Sequence, residues 1–274
     1  MQKLGILAGN GTMPKEVIEH CKATNRDYFV VGLEPYIDTT IIKDSPHVLA
    51  KIGEIGKIFK SFQINEVKEI VFAGGIRRPS FKELIPDWEG VKLLGKLAIK
   101  KMSDDDIFKM LISEIESKGF KVIGAQEVMP HILFTDGLYG KTKPSEADFE
   151  DIKLGIKVAK AMGSLDVGQA CVVQESIILA VEAREGTDAM IERVGTLKRA
   201  GKPPVFIKVV KPDQDTRVDL PVIGPRTMEC VIRNGIKGLA VEAGGTIFLE
   251  KEKVLKMADN AKIFVIGVDK DFCF

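Results

Sequence analysis

The sequence predicts an α/β protein with two domains, the first built on a parallel sheet covered by helices. Short apolar runs alternate with helical periodicity along residues 1–128, as in successive βαβ units. A stretch rich in proline and glycine interrupts this pattern at residues 129–144, and a second α/β region begins at Ser145. The length of 274 residues and the hydrophobic content of 45% are sufficient for two domains, each with its own core.

The composition disfavours nucleic-acid-binding, membrane-spanning, secreted and zinc-binding proteins. Forty basic and 39 acidic residues leave a net charge of +1, so the chain lacks the general positive field that attracts nucleic acids. No window approaches the roughly 18 apolar residues of a membrane span, and the beginning, MQKLGILAG, has no signal-peptide pattern. The four cysteines and three histidines are scattered, which disfavours a zinc site. We therefore expect a cytoplasmic protein that holds any anionic ligand at a local site.

The first predicted strand, Leu4–Ala8, leads into a turn that contains Gly9, Asn10 and Gly11. Glycine lets the backbone approach a ligand closely, and the free N–H groups at the start of the following helix can bind an anion. Pro14 suits the first turn of that helix but stands where a GxGxxG motif would have its third glycine. The turn therefore indicates either a phosphate or sugar contact or only a tight connection.

The rest of the first domain predicts strands at Tyr28–Val31, Glu69–Ala73 and Lys121–Gly124, and a helix over Val48–Phe62. A basic amphipathic helix over Val91–Lys101 can lie on a membrane surface, but such helices more often pack on their own sheet. Ser103 and the acids after it form a helix start, where capping and the helix dipole favour them. A metal or substrate role for Asp104 or Asp105 is left open.

Glycines and arginines follow the strand Glu69–Ala73. Gly74 comes directly after the strand, and Arg77 and Arg78 lie three and four residues after Gly74. Ligands bind at the carboxyl edge of an open α/β sheet, and arginine can donate two parallel hydrogen bonds to a phosphate. We therefore expect Gly74 and one of the two arginines to contact an anionic ligand.

The second half predicts a helix from Ser145 to Met162, followed by a hairpin of Val167–Val173 and Ile177–Ala183. Charged residues gather where the hairpin ends, beginning with Glu182. Beyond them, Gly186 loosens the backbone, while Thr187 can cap the next helix and Asp188 lies in its first turn. Capping alone explains the last two residues, yet the charges form one of two polar clusters in this domain.

The denser polar cluster lies between two apolar segments, at Lys208–Pro225. A strand over Val205–Val210 should end before Pro212, and an acidic and basic loop follows, with Asp213, Gln214, Asp215, Arg217 and Asp219. Carboxylates that can hold a hard cation beside bases that can hold phosphate oxygens suit phosphoryl chemistry. The alternative is a surface turn whose acids and bases pair with one another.

Several motifs occur in order along the chain, among them AGNGTMP, FAGGIRRP, LDVGQACVVQ, EGTDAM, KPDQDTRVDLPVIGP and GLAVEAGGTIFLE. Through these motifs the chain resembles the LpxI type of UDP-2,3-diacylglucosamine pyrophosphatases over almost its whole length. The most specific are EGTDAM and KPxQDxRxDLPxIGP. The resemblance implies a Rossmann-like N-terminal domain (1–128), a hinge (129–144) and a catalytic C-terminal domain (145–274), with substrate bound between the domains.

The resemblance also implies magnesium-dependent hydrolysis of UDP-2,3-diacylglucosamine to lipid X and UMP in lipid A biosynthesis. Its essential aspartate corresponds to Asp219. Together with the chemistry of the polar clusters, it leads us to expect Asp219 and Asp188 as catalytic residues and Asp219, Asp188 and Asp215 as Mg²⁺ ligands. The expected substrate-binding residues are Gly9, Asn10, Gly11, Gly74, Arg77, Arg78, Gln169, Glu182, Gly186, Thr187, Lys211, Gln214 and Arg217.

Two other functional classes are left open. A Rossmann-type oxidoreductase would explain the first glycine turn, although the incomplete glycine motif disfavours it. A non-catalytic nucleotide- or lipid-binding protein would explain a ligand site without needing the acids. Peripheral contact with the inner membrane and a homodimer are also left open.

Overall fold

The computed structural model describes residues 1–75, 87–91, 104–212 and 214–269, and for residues 104–108 it describes the backbone alone. The chain forms two compact units. Unit 1 comprises Met1–Pro130 and Asp215–Val218, and unit 2 comprises His131–Gln214 and Asp219–Phe274. The boundary after Pro130 falls inside the predicted hinge. The inclusion of Asp215–Val218 in unit 1 was not predicted from the sequence.

Unit 1 contains a parallel five-stranded sheet with the strand order β3-β2-β1-β4-β5. Its strands are β1 (Leu4–Ala8), β2 (Tyr28–Glu34), β3 (His47–Lys51), β4 (Glu69–Ala73) and β5 (Lys121–Ile123). Its described helices include α1 (Met13–Ala23), α2 (Thr39–Ile42), α3 (Ile55–Ile64), α4 (Asp104–Ser117) and α5 (Ala125–Val128). The strand order reverses at β1 and β4, as in Rossmann-like domains. The fold class predicted for the first half is confirmed.

Close packing of β1 against α3 depends on a glycine. A Cβ atom on Gly5 would lie only 2.8 Å from both Phe62 Cε1 and Val67 Cγ1. All five residues of β1 are buried, because both faces of a parallel sheet are covered in such folds. Burial of this apolar strand stabilises the fold by about 25 cal/mol for each Å² of apolar surface removed from water, which favours the central position of β1.

The helix predicted over Val48–Phe62 is wrong at its beginning. Residues His47–Lys51 form the edge strand β3, in which Val48 lies opposite Val31. A turn follows, with Glu54 N donating to Lys51 O at 2.9 Å, and α3 begins at Ile55. A short apolar run has no periodicity that separates strand from helix, so pairing with β2 decides its conformation.

Unit 2 contains a mixed six-stranded sheet with the order β6-β13-β11-β9-β7-β8, and a pair formed by β10 and β12. Its strands are β6 (Gly137–Tyr139), β7 (Ala170–Gln174), β8 (Ile177–Val181), β9 (Val205–Lys208), β10 (Val222–Ile223), β11 (Gly238–Glu242), β12 (Ile247–Phe248) and β13 (Phe264–Val268). Its described helices include α6 (Glu146–Ser164), α7 (Thr187–Leu197), α8 (Pro225–Arg233) and α9 (Lys251–Ala261). The separate α/β second domain is confirmed.

The predicted hairpin and the predicted helix start in unit 2 are both present. Strands β7 and β8 pair antiparallel around a turn in which Glu175 N and Ser176 N donate to the Asp151 carboxylate at 3.0 and 2.7 Å. At the start of α6, Asp148 Oδ2 accepts from both N and Oγ of Ser145 at 2.8 Å. Local sequence signals were therefore sufficient to predict the hairpin and the helix start, because the residues that pair in each lie close together in the chain.

Part of the predicted hinge belongs to the core of unit 2. Residues Gly137–Tyr139 pair as β6 with β13, and the ring of Phe134 stacks on that of Phe248 with 3.9 Å between centroids. Proline and glycine here turn the chain into the sheet. No helix in the described part of the chain combines the length and apolar character needed to cross a membrane.

Candidate functional site

The two glycine turns expected to bind a ligand lie side by side in unit 1. Asn10 N donates to Gly75 O at 2.9 Å, and Gly75 N donates to Asn10 O at 3.2 Å. Gly9 N also donates to Ala73 O at 2.8 Å. These turns follow β1 and β4, the neighbouring strands at which the strand order reverses. The structure therefore brings the first turn and Gly74 together where doubly wound sheets bind ligands.

Gly74 is the point of closest approach between these turns. Its φ is +87°, and an added Cβ would lie 2.1 Å from Asn10 O. Gly11 also has a positive φ, +89°, but an added Cβ there would have no neighbour within 4 Å. The two glycines thus share a backbone conformation and differ in the space around them, which makes them a matched pair.

We expect Gly74→Ala to destabilise the protein by roughly 3 kcal/mol, because the left-handed conformation is unfavourable for alanine and the Asn10 carbonyl must also move. Gly11→Ala meets only the first penalty, about 1 kcal/mol. Urea unfolding of both variants measures the difference. Equal losses of stability would contradict the role of Gly74 in closing the two turns.

Some predicted residues lie outside the described residues. These are Arg77 and Arg78 after Gly75, Ser103, and Asp213 in the polar loop, while the side chains of Asp104 and Asp105 are also not described. The predicted phosphate contact of the arginine pair stays a prediction.

In unit 2, polar side chains gather at one edge of the sheet. Strands β8, β9 and β11 end at this edge, and the antiparallel strand β7 begins there. We call it the polar edge and define it by Gln169, Glu182, Lys208 and Glu242. Lys208 was predicted as one of the bases of the polar cluster Lys208–Pro225 but not as a substrate-binding residue, and Glu242 was not predicted to belong to a site. The sequence signal for both is a charged residue at the end of an apolar strand.

A hydroxyl connects two buried charges at the polar edge. Lys208 Nζ donates to Thr187 Oγ1 at 2.8 Å, and Thr187 Oγ1 donates to Glu182 Oε1 at 2.6 Å. Lys208 and Glu182 are each only 7% exposed. Glu182 Oε2 accepts from Gln169 N at 3.1 Å. The prediction that Thr187 caps α7 is wrong, because Gly186, with a φ of 81°, is the N-cap and the Thr187 side chain bonds to the polar edge.

An ion pair at the polar edge, between Lys160 and Glu242, holds the start of the polar loop. Glu242 Oε2 accepts from Lys160 Nζ at 2.6 Å and from Val210 N at 2.8 Å. Lys160 Nζ also donates to Val210 O at 3.0 Å. Both backbone groups of Val210 are therefore bound by charged side chains, which gives the loop that follows a fixed origin.

Within this loop, Gln214 and Asp219 are joined. Gln214 Nε2 donates to Asp219 Oδ2 at 2.5 Å, and Gln214 Oε1 accepts from Lys211 N at 3.1 Å. The Lys211 ammonium donates to Asp166 Oδ1 at 2.8 Å. After Asp219 the chain is anchored again, because Pro221 O accepts from Ile247 N at 2.8 Å.

The middle of the loop, Asp215–Val218, packs within unit 1. Arg217 donates from Nε and Nη2 to the two carboxylate oxygens of Asp215 at 3.0 and 2.7 Å, and from Nη1 to Glu116 Oε1 at 3.0 Å. The Arg217 side-chain hydrogen bonds hold the pKa of Asp215 below its ordinary value, although partial burial opposes this. Asp215 and Arg217 therefore follow the pairing alternative, in which the acids and bases of the loop bind one another.

Three carboxylates were expected to hold a metal ion. Both oxygens of Asp215 accept hydrogen bonds from Arg217, so Asp215 is the least suitable of the three. Asp188, in the first turn of α7, pairs with Arg226 at 3.4 Å. Among the residues that the structure describes, no group of three or more His, Cys, Asp or Glu side chains is arranged to hold a metal ion.

Each unit, taken by itself, has groups that suit a phosphate-containing ligand. Unit 1 has the start of α1 directly after the first glycine turn, and unit 2 has a carboxylate, Asp219, held by an amide donor. Backbone donors bind phosphate oxygens, and a fixed carboxylate can orient water or hold a cation.

Comparison with known proteins gives consistent results for both halves of the chain. Residues 3–132 match the family model of the LpxI N-terminal domain, and residues 135–266 match that of the LpxI C-terminal domain. A Caulobacter vibrioides protein named UDP-2,3-diacylglucosamine pyrophosphatase LpxI is 40% identical over 276 residues. That alignment covers 98% of this chain and 98% of the relative.

Two solved structures show only weak similarity. They are carboxyaminoimidazole ribonucleotide synthase from Aspergillus clavatus complexed with ATP and N5-carboxyaminoimidazole synthetase from Staphylococcus aureus complexed with ADP, with 10% and 16% identity and TM-scores of 0.22 and 0.21. Each alignment covers 64% of this chain but only 38% of the solved chain. At these TM-scores the two structures add nothing to the assignment.

Proposed function

Because the chain belongs to the LpxI family, we propose that it hydrolyses the pyrophosphate bond of UDP-2,3-diacylglucosamine. The products are UMP and 2,3-diacylglucosamine 1-phosphate, known as lipid X, and the reaction belongs to lipid A biosynthesis. The observation that carries this proposal is the 40% identity, over 98% of both chains, to a pyrophosphatase with this substrate in its name.

The reaction sets clear demands on the protein. Water adds to one of the two phosphorus atoms, and the bridging oxygen leaves with the other phosphate. The substrate already carries two negative charges, and more charge builds on the phosphate oxygens as water attacks. The protein must therefore supply donors for these oxygens and a group that places the water in line.

The residues of each unit suit one of these tasks. In unit 1 the N–H groups of Gly9 and Asn10 bind Ala73 O and Gly75 O, so the donors for the nucleotide phosphate are the N–H groups at the start of α1, directly after this turn. In unit 2 Asp219 acts on the attacking water, and Lys208 places a buried positive charge at the polar edge.

The chemistry of the donors also fits magnesium. Asp219 and Asp188 are the carboxylates that would hold Mg²⁺, which prefers oxygen ligands and is usually bound by one or two carboxylates together with substrate phosphates. This preference does not require a cluster of three acids. When bound, the cation offsets the negative charge that builds on the phosphate oxygens. Peripheral membrane contact and a homodimer stay predictions.

The function is tested by turnover of purified protein with UDP-2,3-diacylglucosamine. The expected products, UMP and lipid X, are identified by mass spectrometry. UDP-glucose, which has the same pyrophosphate but no acyl chains, is the control for specificity. Binding of the substrate without product formation would favour the non-catalytic alternative, and nicotinamide binding with a spectral change would favour the oxidoreductase.

A further inference from the structure

The side-chain amide of Gln214 has one possible orientation. Lys211 N can only donate, so the group that faces it at 3.1 Å must be the amide oxygen of Gln214. The amide nitrogen must then face Asp219 Oδ2, which lies at 2.5 Å and accepts the hydrogen bond. A single glutamine thus links a backbone N–H to the carboxylate five positions further along the chain.

The backbone that holds this amide is itself well anchored. Residue Val210, directly before Lys211, is bound at both N and O by the Glu242 and Lys160 ion pair. The helix α6 packs against the same segment so closely that a Cβ atom on Gly163 would lie 3.2 Å from Lys211 Cα. The backbone N–H of Lys211 that binds the Gln214 amide oxygen is therefore held in place by a partly buried ion pair and by α6.

From this geometry we propose that Gln214 is a positioning residue that sets the orientation of the Asp219 carboxylate and does not bind the substrate. The inference rests on the proposed function, in which Asp219 acts on the attacking water. Rotation of a carboxylate about its last bond is only weakly restricted, so an aspartate alone does not hold one orientation. The hydrogen bond to Oδ2 selects one.

Burial argues against the substrate-binding role that was expected for Gln214. The residue is only 8% exposed, and both ends of its amide already have partners. A ligand contact would have to break one of these bonds inside the protein and leave a buried polar group without a partner, which is unfavourable.

The first test is Gln214→Met, which keeps the length of the side chain but removes both hydrogen bonds. We expect kcat for UDP-2,3-diacylglucosamine to fall about 10- to 100-fold, the scale for a displaced catalytic group, with KM changed less than about threefold. Gln214→Asn keeps an amide but is too short to reach both partners, so it should show the same loss.

Gln174→Met is the matched control. Gln174 is also a buried glutamine of unit 2, and within the described part of the chain its amide bonds to backbone groups of Arg199 and Lys202. Its replacement should lower the melting temperature and leave kcat unchanged. If the Gln174 and Gln214 variants both lost stability in proportion to activity, Gln214 would have only a structural role and the proposal would be wrong.

A second measurement separates positioning from substrate binding even if Gln214→Met lowers stability. In an Asp219→Ala background, the Kd of UDP-2,3-diacylglucosamine is measured by calorimetry with and without Gln214→Met. The Asp219 carboxylate is absent from this background, so a residue that only positions it should not affect substrate affinity. The two Kd values should therefore agree within about twofold. A tenfold weaker Kd in the double variant would overturn the proposal. Absence of turnover by the unmodified protein would instead contradict the proposed function.

Discussion

Asp219→Ala is expected to lower kcat for UDP-2,3-diacylglucosamine by at least about a hundredfold with little change in substrate affinity. The carboxylate is held by Gln214 on one side, and the chain after it is anchored through Pro221 O. In the proposed mechanism this group acts on the attacking water in the transition state more than on the bound substrate. Its removal should therefore affect turnover more than binding.

Asp219→Asn separates the charge of this residue from its size. Asparagine cannot accept the proton of water and is a poorer ligand for a hard cation, so we expect nearly the same loss of kcat. Asp151→Asn is the matched control, because Asp151 is a buried aspartate of unit 2 whose two carboxylate oxygens accept from the backbone turn at Glu175 and Ser176. It should lower the melting temperature and preserve kcat.

Melting temperature measured beside turnover decides the role of Asp219. A variant that melts like the unmodified protein and has lost turnover supports the catalytic role. Wild-type turnover in either Asp219 variant would remove Asp219 from the mechanism. Substrate affinity is obtained independently by calorimetry on the inactive variants.

Removal of divalent cations is expected to abolish nearly all hydrolysis, and added Mg²⁺ should restore it. The acids available at the polar loop and at the start of α7, Asp219 and Asp188, offer oxygen ligands alone, which favour a hard cation over zinc. Without a cation, the charge that builds on the phosphate oxygens would be offset only by protein donors. That loss amounts to several kcal/mol of transition-state stabilisation.

The measurement is turnover after the protein has been stripped with excess chelator, followed by titration with MgCl₂. Calorimetric titration of Mg²⁺ with UMP present measures cation binding without depending on turnover. Asp219→Ala should weaken this Mg²⁺ binding. Full activity of the stripped protein in excess chelator would contradict the magnesium proposal.

The sequence alone was sufficient to predict the α/β class of both halves, the glycine turns at the ends of β1 and β4, and the polar loop that contains Asp219. These features depend on signals between residues close in the chain. Alternating apolar runs reveal buried strands, and glycine and proline mark turns whether or not the partner strand is known. The same local signals predicted the start of α6 at Ser145 and the hairpin of β7 and β8.

Only the tertiary structure decided which polar groups meet. Whether Arg217 binds a substrate or Asp215 and Glu116, and whether Gln214 faces a ligand or Asp219, depends on packing that composition does not encode. Packing also decided that residues His47–Lys51 form the edge strand β3 and that Asp215–Val218 belongs to unit 1. Periodicity shows which side of an element is buried, whereas the partner of a polar side chain is set by atoms far away in the sequence.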